Sequence, residues 1–205
     1  MPKVTVKPPP RRRAQIVARS LCATIARRPA RSQEEATVIR HSSELRTLLL
    51  VLTLTEIPVA FLVSGVLPPP ARPFHALLEV TLVLTGFGVL ATIARHPHTV
   101  SPSRVVLRTG LLGDLDLPRE RVRSAVRTLR TVQGRGLRRV PGEPSAVVCS
   151  LGSTIGVRLR LDPPVPLDLG DGAGSRDVDT VYVSADAADA FTRALSGGAG
   201  PRAAR

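Results

Sequence analysis

Residues 47–67, TLLLVLTLTEIPVAFLVSGVL, and residues 74–94, FHALLEVTLVLTGFGVLATIA, decide the fold of this 205-residue chain. At about 1.5 Å per residue, a helix of either run spans roughly the hydrocarbon core of a bilayer. Neither run keeps a polar stripe wide enough for a surface helix of a soluble protein. The connection at residues 68–73, PPPARP, is so short that the two helices must be antiparallel. The sequence therefore predicts a transmembrane hairpin, and two buried core helices of a soluble protein are the alternative.

Positive charge flanks the predicted hairpin at its two open ends. Residues 1–46 carry eleven cations and three anions (+8), and residues 95–145 carry eleven and four (+7). Residues 47–94 and residues 146–205 each carry a net charge of −1. Because loops rich in Arg and Lys stay on the cytoplasmic side of membranes, we expect a multi-pass protein of the cell membrane with both termini in the cytoplasm. The flanking arginines are expected to lie against anionic headgroups.

Residues 1–43 are predicted to form a basic, flexible cytoplasmic region. The first 33 residues contain nine Arg or Lys and no acid, and such segments bury too little apolar surface to fold alone. Ile16, Leu21 and Ile25 lie near helical spacing, so a mitochondrial-type presequence and an amphipathic helix at the membrane interface are alternatives. Cys22 and Cys149 are the only cysteines, which favours a reducing compartment without disulfides.

Residues 97–196 change to short alternating runs separated by Gly and Pro, a pattern typical of β-structure. Strands are expected at residues 104–108, 111–117, 126–132, 146–150, 155–161 and 178–183. Loops are expected at 133–144 and 162–176. An apolar face between Ala187 and Leu195 predicts a closing helix, and residues 197–205 are predicted to be disordered. Five or six antiparallel strands followed by one helix have the outline of a small barrel or half-barrel of the pleckstrin-homology-like (PH-like) type.

The order of these segments resembles a group of uncharacterised actinobacterial integral membrane proteins that have two spans and a C-terminal PH-like domain. One shared feature is a Glu near a Pro inside the first span, here Glu56 and Pro58. Another is a strand that runs into a Gly turn after the second span, here residues 105–110, followed by a Pro-x-x-x-Ile turn, matched loosely by Pro118 and Val122. The resemblance covers about residues 45–196. It implies an architecture and no mechanism, and this chain departs from the group by lacking Trp.

Glu56 lies near the middle of the first predicted span, where an ionised carboxylate is costly and is therefore paired, protonated or exposed to water. Pro58 is expected to kink the same span. In an antiparallel hairpin the depth of Glu56 corresponds to Thr85 or Gly86. We therefore expect Glu56 to be protonated and bonded to Thr85 or to its own copy in a dimer, with a proton or ion pathway as the alternative. Glu79 lies at a depth that differs by about 9 Å, so we expect no carboxylate dyad within one hairpin.

Arginines near and beyond the second span are candidates for binding phosphate groups. The predicted anionic-lipid ligands are Arg95, Arg119, Arg121, Arg123, Arg127 and Arg130. A solvated arginine patch without a specific ligand is the alternative. Stacking aromatic residues are missing around them, which makes nucleic acid an unlikely partner.

The sequence contains no motif that indicates catalysis, a metal or a cofactor. His96 and His98 alternate at the membrane exit without a third ligand nearby, which favours interface polarity over a zinc site. Neither a phosphate-binding P-loop nor a GxSxG nucleophile turn is present. We therefore expect no enzyme and no cofactor, but a membrane-anchored binding or scaffold module that presents its β domain to lipid headgroups, a protein partner or a second copy. A transporter or membrane-enzyme subunit that uses Glu56 is the first alternative, and a soluble nucleic-acid binder is the second.

Overall fold

The computed structural model describes residues 2–5, 8–27, 36–39, 43–172 and 174–196. The chain divides into two compact units. The helical unit consists of Pro10–Pro29 and Ser43–Arg95. The β unit consists of Met1–Pro9, Ala30–Ser42 and His96–Arg205. The tail predicted at residues 197–205 lies outside the described residues.

The helical unit contains α1 (Pro10–Ile25), α2 (Ser43–Val66) and α3 (Arg72–Arg95). Helices α2 and α3 pack against each other, and α1 packs against α3. A 3₁₀ turn at Pro69–Ala71 joins α2 to α3. The two long apolar helices expected from the sequence are confirmed, and both are long and apolar enough to cross a membrane, which suggests membrane association. Helix α2 continues through Pro58 without a break.

Regular structure occupies most of the described part of residues 1–43, which the sequence analysis expected to be flexible. Helix α1 starts at Pro10, because proline suits the first helical position, where no intrahelical N–H bond is made. Strands β1 (Lys3–Thr5) and β2 (Thr37–Ile39) join the β unit, where pairing with other strands satisfies their backbone groups. Both alternative interpretations of this region, a presequence and an interfacial helix, place a helix there, and α1 agrees with that helix without deciding between them.

The β unit contains ten strands in its described residues, followed by one helix. After β1 and β2 come β3 (His98–Val100), β4 (Arg104–Arg108), β5 (Asp114–Pro118), β6 (Val122–Thr131), β7 (Gly136–Val140), β8 (Glu143–Ser150), β9 (Thr154–Leu167), β10 (Arg176–Val183) and α4 (Ala188–Ser196). Sheet A has the order β1-β5-β4-β3-β2, and sheet B has the order β6-β9-β10-β8-β7. Every pair is antiparallel except β8 with β10, which is parallel.

The two sheets share one hydrophobic core. Leu107 and Leu117 of sheet A and Leu159 and Val181 of sheet B are all fully buried in it. Helix α4 closes this core with Phe191, which has no exposed surface. The mainly-β region with a closing helix, expected from the alternating pattern, is therefore confirmed.

Three details of the predicted β region are wrong. Strand β7 lies inside the loop expected at residues 133–144, because positive-φ glycines at Gly134 and Gly142 confine the turns to its two ends. Strand β9 runs on to Leu167, into the loop expected at 162–176. Residues 97–196 contain eight strands, β3 to β10, rather than five or six, and the arrangement is not wholly antiparallel, because β10 returns beside β8 in the same direction.

His98 is fully buried and ties the two sheets together, whereas the sequence analysis expected it to be polar at the membrane interface. Its Nδ1 accepts a hydrogen bond from the backbone N–H of Arg108 at 3.1 Å. Because Nδ1 is an acceptor, the ring proton lies on Nε2, which donates to the carbonyl oxygen of Ser184 at 3.1 Å. The ring also meets Phe191 of α4 edge to face, with 6.4 Å between ring centroids. His98 is thus part of the core of the β unit.

Candidate functional sites

The contact between α2 and α3 is close because Gly86 faces Thr53. A Cβ atom at position 86 would lie nearer to the Thr53 hydroxyl than van der Waals contact permits. Thr53 is buried there, and its hydroxyl donates to the carbonyl oxygen of Leu49 at 2.7 Å. Small residues allow helix backbones to approach in this way. Gly86 thus permits close packing of α2 against α3.

Thr85 does not bond Glu56 within the chain, so of the two predicted partners of Glu56 this one is wrong, and its own copy in a dimer stays a prediction. Its hydroxyl is exposed and donates to the carbonyl oxygen of Thr81 at 2.7 Å. The contact of Thr53 with Gly86 sets a register in which Glu56, three residues later in α2, lies at the depth of residue 83. The register differs because α3 begins at Arg72, two residues before the predicted span. Glu56 is half-buried and has no hydrogen-bond or ion-pair partner in the part of the chain that the structure describes.

A groove of about 320 Å³ lies between α2 and α3, and its lining is almost wholly apolar. It is lined by Ile57, Ala60, Phe61, Ser64, Ala76, Glu79, Val80, Val83 and Leu84. Glu79 is the one charged residue in this lining. Its carboxylate lies 3.7 Å from Nδ1 of His75, one helical turn earlier. The i,i+4 spacing of these two residues could have revealed the pair in the sequence, but only Glu79 was selected there.

The arginines selected from the sequence do not act as one patch. Arg119 donates to the carbonyl oxygen of Val122 at 3.3 Å. Arg127 lies 3.5 Å from the carboxylate of Asp189 in α4, and both side chains are largely exposed. Arg123 is exposed on β6 and Arg121 is half-buried. Arg95 ends α3 and so belongs to the helical unit.

Arg130 belongs to a polar cluster that joins β6, β8 and β10. Its guanidinium donates to Glu143 and, at 3.1 Å, to the hydroxyl of Tyr182, which in turn donates to Glu143 at 3.0 Å. The guanidinium carbon also lies 5.2 Å from the centre of the Tyr182 ring. The hydrogen bond from Arg130 lowers the pKa of Glu143, and the same bond raises the pKa of Arg130. Glu143 is therefore ionised at neutral pH.

Arg158 and Arg160 extend this cluster along β9 into a basic face of sheet B. Arg158 is paired with Val126 of β6 and Tyr182 of β10, while Arg160 is paired with Ser124 and Thr180. Both arginines are exposed, and the charge of Arg158 also helps to lower the pKa of Glu143. Neither residue is among the arginines predicted from the sequence, although their alternation with the buried Val157, Leu159 and Leu161 marks them as outward-facing. We call Arg130, Arg158 and Arg160 the basic face.

Cys149 and Asp114 are two titratable groups of the β unit that are shielded from water. Cys149 is fully buried, and burial raises the pKa of its thiol, so the nucleophilic thiolate does not form at neutral pH. Burial also raises the pKa of Asp114, although its carboxylate accepts a hydrogen bond from the backbone N–H of Thr109 at 2.9 Å. That bond closes the turn between β4 and β5. In the described residues, no three His, Cys, Asp or Glu side chains are grouped to hold a metal ion.

Comparison of the chain with models of protein families, with curated proteins and with solved structures found no match.

Proposed function

We propose that this chain is an integral membrane protein in which α2 and α3 span the bilayer as a hairpin with both open ends in the cytoplasm. The β unit then serves as a cytoplasmic binding module for anionic headgroups or for a partner protein. The observation that carries the proposal is the outward direction of the apolar side chains on α2 and α3. Only 6% of the most apolar stretch of α2 and 22% of that of α3 are buried within the chain. A core helix of a soluble protein would be mostly buried.

Hydrogen bonding in α2 and α3 is compatible with a lipid environment. Five threonine hydroxyls donate to the carbonyl oxygen four residues earlier in the same helix, at 2.7 to 2.8 Å. These residues are Thr53, Thr55, Thr81, Thr85 and Thr92. Polar groups within a bilayer need partners in the protein because no water is present. Internal bonding lets even the outward-facing hydroxyls meet this requirement.

The binding role proposed for the β unit rests on the basic face. Arg130 bonds the carboxylate of Glu143, and the charge of Arg158 acts on the same carboxylate. Arg160 follows Arg158 on the outward side of β9, so the three arginines outnumber the one glutamate of the cluster. Anionic headgroups and acidic protein segments are the partners that complement this face. The two sheets and the closing helix are compatible with the PH-like type that we propose, although the parallel pairing of β8 with β10 departs from an antiparallel barrel. We therefore assign the binding role to the basic face of sheet B rather than to the fold of the β unit.

Alkaline carbonate extraction of cells that produce the full chain tests the membrane part of the proposal. We expect the protein to stay in the membrane pellet, because apolar helices that span the bilayer resist extraction. Release into the supernatant would contradict the proposal and would favour a soluble protein.

Lipid analysis of the purified full chain tests the binding role. Arg158→Gln/Arg160→Gln removes two charges from the basic face, and Arg176→Gln/Arg193→Gln removes two exposed charges elsewhere on the β unit. We expect fewer co-purifying anionic lipids for the first variant than for the second. Equal amounts in both variants would exclude headgroups as ligands of this face and leave a protein partner.

A subunit of a transporter or membrane enzyme is the second candidate, favoured by the half-buried carboxylate of Glu56 within α2. Glu56→Gln keeps the shape of the side chain and removes its charge, so it is expected to preserve the folded protein. Glu56→Lys places an ammonium group near the middle of the span, at a cost of about 2.5–3.5 kcal/mol, and is expected to block insertion or assembly. A loss of cellular function in Glu56→Gln at normal membrane abundance would favour this candidate over the binding module. Normal membrane yield of Glu56→Lys would contradict a mid-membrane position.

A further inference from the structure

The groove between α2 and α3 lies between the close contact of Thr53 with Gly86 and the turn at Pro69–Ala71. Small side chains such as Ala60 and Ala76 leave the space that forms it. Its volume of about 320 Å³ is at the lower end of the range of pockets that hold small molecules. An apolar cavity with few polar groups is the usual form of a small-molecule site.

Glu79 brings a carboxylate into this apolar lining, and the described residues do not satisfy its hydrogen bonding. The side chain is 16% exposed, and its Oε2 atom is enclosed without a hydrogen-bond donor. Nδ1 of His75 lies 3.7 Å from Oε1, beyond hydrogen-bond distance, and the two form an ion pair only when the imidazole is protonated. Because an enclosed carboxylate without a partner is costly, this position favours a ligand that carries a positive charge.

The rest of the hairpin does not supply that charge. Residues 47–94 contain one Arg and no Lys. This residue, Arg72, lies about 10 Å from Glu79 along α3, and its guanidinium donates to the carbonyl oxygen of Leu67 at 3.1 Å. A second copy of the hairpin presents the same residues and so adds apolar surface and carboxylates, but no further Arg or Lys. Charge complementarity therefore favours a separate cationic ligand over a second copy.

We propose that the groove between α2 and α3 binds a lipophilic organic cation, with the charged group of the ligand at Glu79 and its apolar body against the apolar lining. Phe61 is part of this lining, and the faces of aromatic rings attract organic cations. A phospholipid matches the groove less well, because its phosphate would lie beside a carboxylate. The site goes beyond the binding role proposed for the β unit, since it lies in the helical unit and takes a ligand of the opposite charge.

Binding of tritiated tetraphenylphosphonium to the purified full chain in a non-ionic detergent is the first measurement. Equilibrium dialysis against detergent alone corrects for uptake of the cation by micelles. We expect saturable binding that neutral triphenylphosphine oxide does not displace, because this compound offers similar apolar rings without the charge. Absence of saturable binding, or equally effective displacement by the neutral compound, would overturn the proposal.

Charge variants test the role of Glu79. Glu79→Gln keeps the size of the side chain and removes its charge, so the affinity for tetraphenylphosphonium is expected to fall about tenfold or more. Glu79→Asp keeps the charge and is expected to retain most of the binding, which separates the charge from effects on folding. Glu120→Gln removes one charge from an exposed position of the β unit and is expected to leave the affinity unchanged. Equal affinities of Glu79→Gln and Glu120→Gln would overturn the assignment of the cation to Glu79.

Variants that change the shape of the groove test the position of the apolar body. Ala76→Leu fills part of the groove and leaves Glu79 in place, so it is expected to weaken binding about tenfold. Leu78→Phe enlarges an exposed side chain of α3 outside the lining and is expected to have no effect. Sedimentation of both variants in detergent gives their oligomeric state. A dimer of the original chain that Ala76→Leu converts to a monomer would show that a second copy occupies the groove and would overturn the proposal.

Discussion

The helical unit carries large apolar side chains on its outer surface, whereas the β unit buries them in its core. Most of the exposed large hydrophobic side chains in the described part of the chain belong to α2 and α3, for example Leu62 and Leu77. In the β unit, residues such as Leu115 and Val183 have no exposed surface at all. One unit is held together by close approach at glycines and the other by burial of apolar surface. This contrast is what the proposed membrane hairpin with a water-exposed β unit requires.

This difference predicts that identical substitutions have different consequences in the two units. In water, burial of apolar groups drives folding. Between helices in lipid that driving force is missing, because the acyl chains are as apolar as leucine, and packing and internal hydrogen bonds act instead. Matched substitutions in the helical unit and in the β unit test this difference. The stability of the β unit is read from the fluorescence of Tyr182, the single tyrosine of a chain without tryptophan.

His98→Ala is expected to have the largest effect, a loss of about 4–6 kcal/mol in the unfolding free energy of the β unit. The change leaves the Arg108 N–H and the Ser184 carbonyl without partners and opens a cavity beside Phe191. Urea unfolding of the full chain in detergent measures it. A loss below about 1 kcal/mol, the size typical of a surface site, would show that His98 does not tie the sheets together.

Leu115→Ala and Leu62→Ala form a matched pair. Leu115 is fully buried in the core of the β unit, so its truncation is expected to cost about 3–5 kcal/mol there. Leu62 is 74% exposed on α2, where, in the proposed bilayer, alanine exchanges one lipid-facing apolar surface for another. Its truncation should therefore leave membrane yield and thermal stability in detergent unchanged. Comparable losses of stability in both variants would contradict the buried position of Leu115 and the exposed position of Leu62.

Gly86→Val and Gly65→Val compare a close helix contact with an open position. A side chain at position 86 collides with Thr53, so we expect the α2–α3 contact to lose about 1–3 kcal/mol. Nothing lies within 4 Å of a Cβ at position 65, so valine is tolerated there. The distance between α2 and α3 is measured in each variant with a pair of labels, one on each helix. An unchanged separation and stability in Gly86→Val would contradict the register described above.

The smallest expected effect is the pH dependence contributed by Glu143. The pKa of Glu143 is lowered in the folded protein by its ion pair with Arg130. The pair therefore stabilises the folded protein fully at pH values above the unfolded pKa of about 4.3. This stabilisation is lost as the pH falls through the pKa of the folded protein. Asp114 acts in the opposite sense, because its raised pKa favours the folded state on protonation. Melting temperatures between pH 7 and pH 3 should therefore fall less in Glu143→Gln than in the original chain. Parallel curves would show that the pair does not contribute.

The helical hairpin could be predicted from the sequence because its signal is local. Length and hydropathy locate α2 and α3 within a few residues, and the proline-rich turn fixes their antiparallel order. The register between α2 and α3 could not be predicted from the sequence, because a shift of two residues in the start of α3 moves Glu56 away from Thr85. Likewise, α1 was only one of several interpretations, because its stability comes from packing on α3 rather than from its own sequence.

The topology of the β unit depends on contacts between distant residues, which alternating patterns do not record. The parallel pairing of β8 with β10 and the joining of β1 and β2 to sheet A are examples. The extension of β9 is another, because Pro163, Pro164 and Pro166 argue against a strand. They are tolerated because β6 pairs with β9 only as far as Leu161, so beyond that point β9 pairs on one side with β10.

The most direct test of the account is a topology map of the full chain. A reporter active only outside the cytoplasm and one active only inside are placed at the amino terminus, within the turn at residues 68–73, and after Arg205. The account predicts outside activity at the turn alone, since α2 and α3 cross the membrane with the positive charge of both open ends in the cytoplasm. Outside activity after Arg205, or inside activity at all three positions, would contradict it.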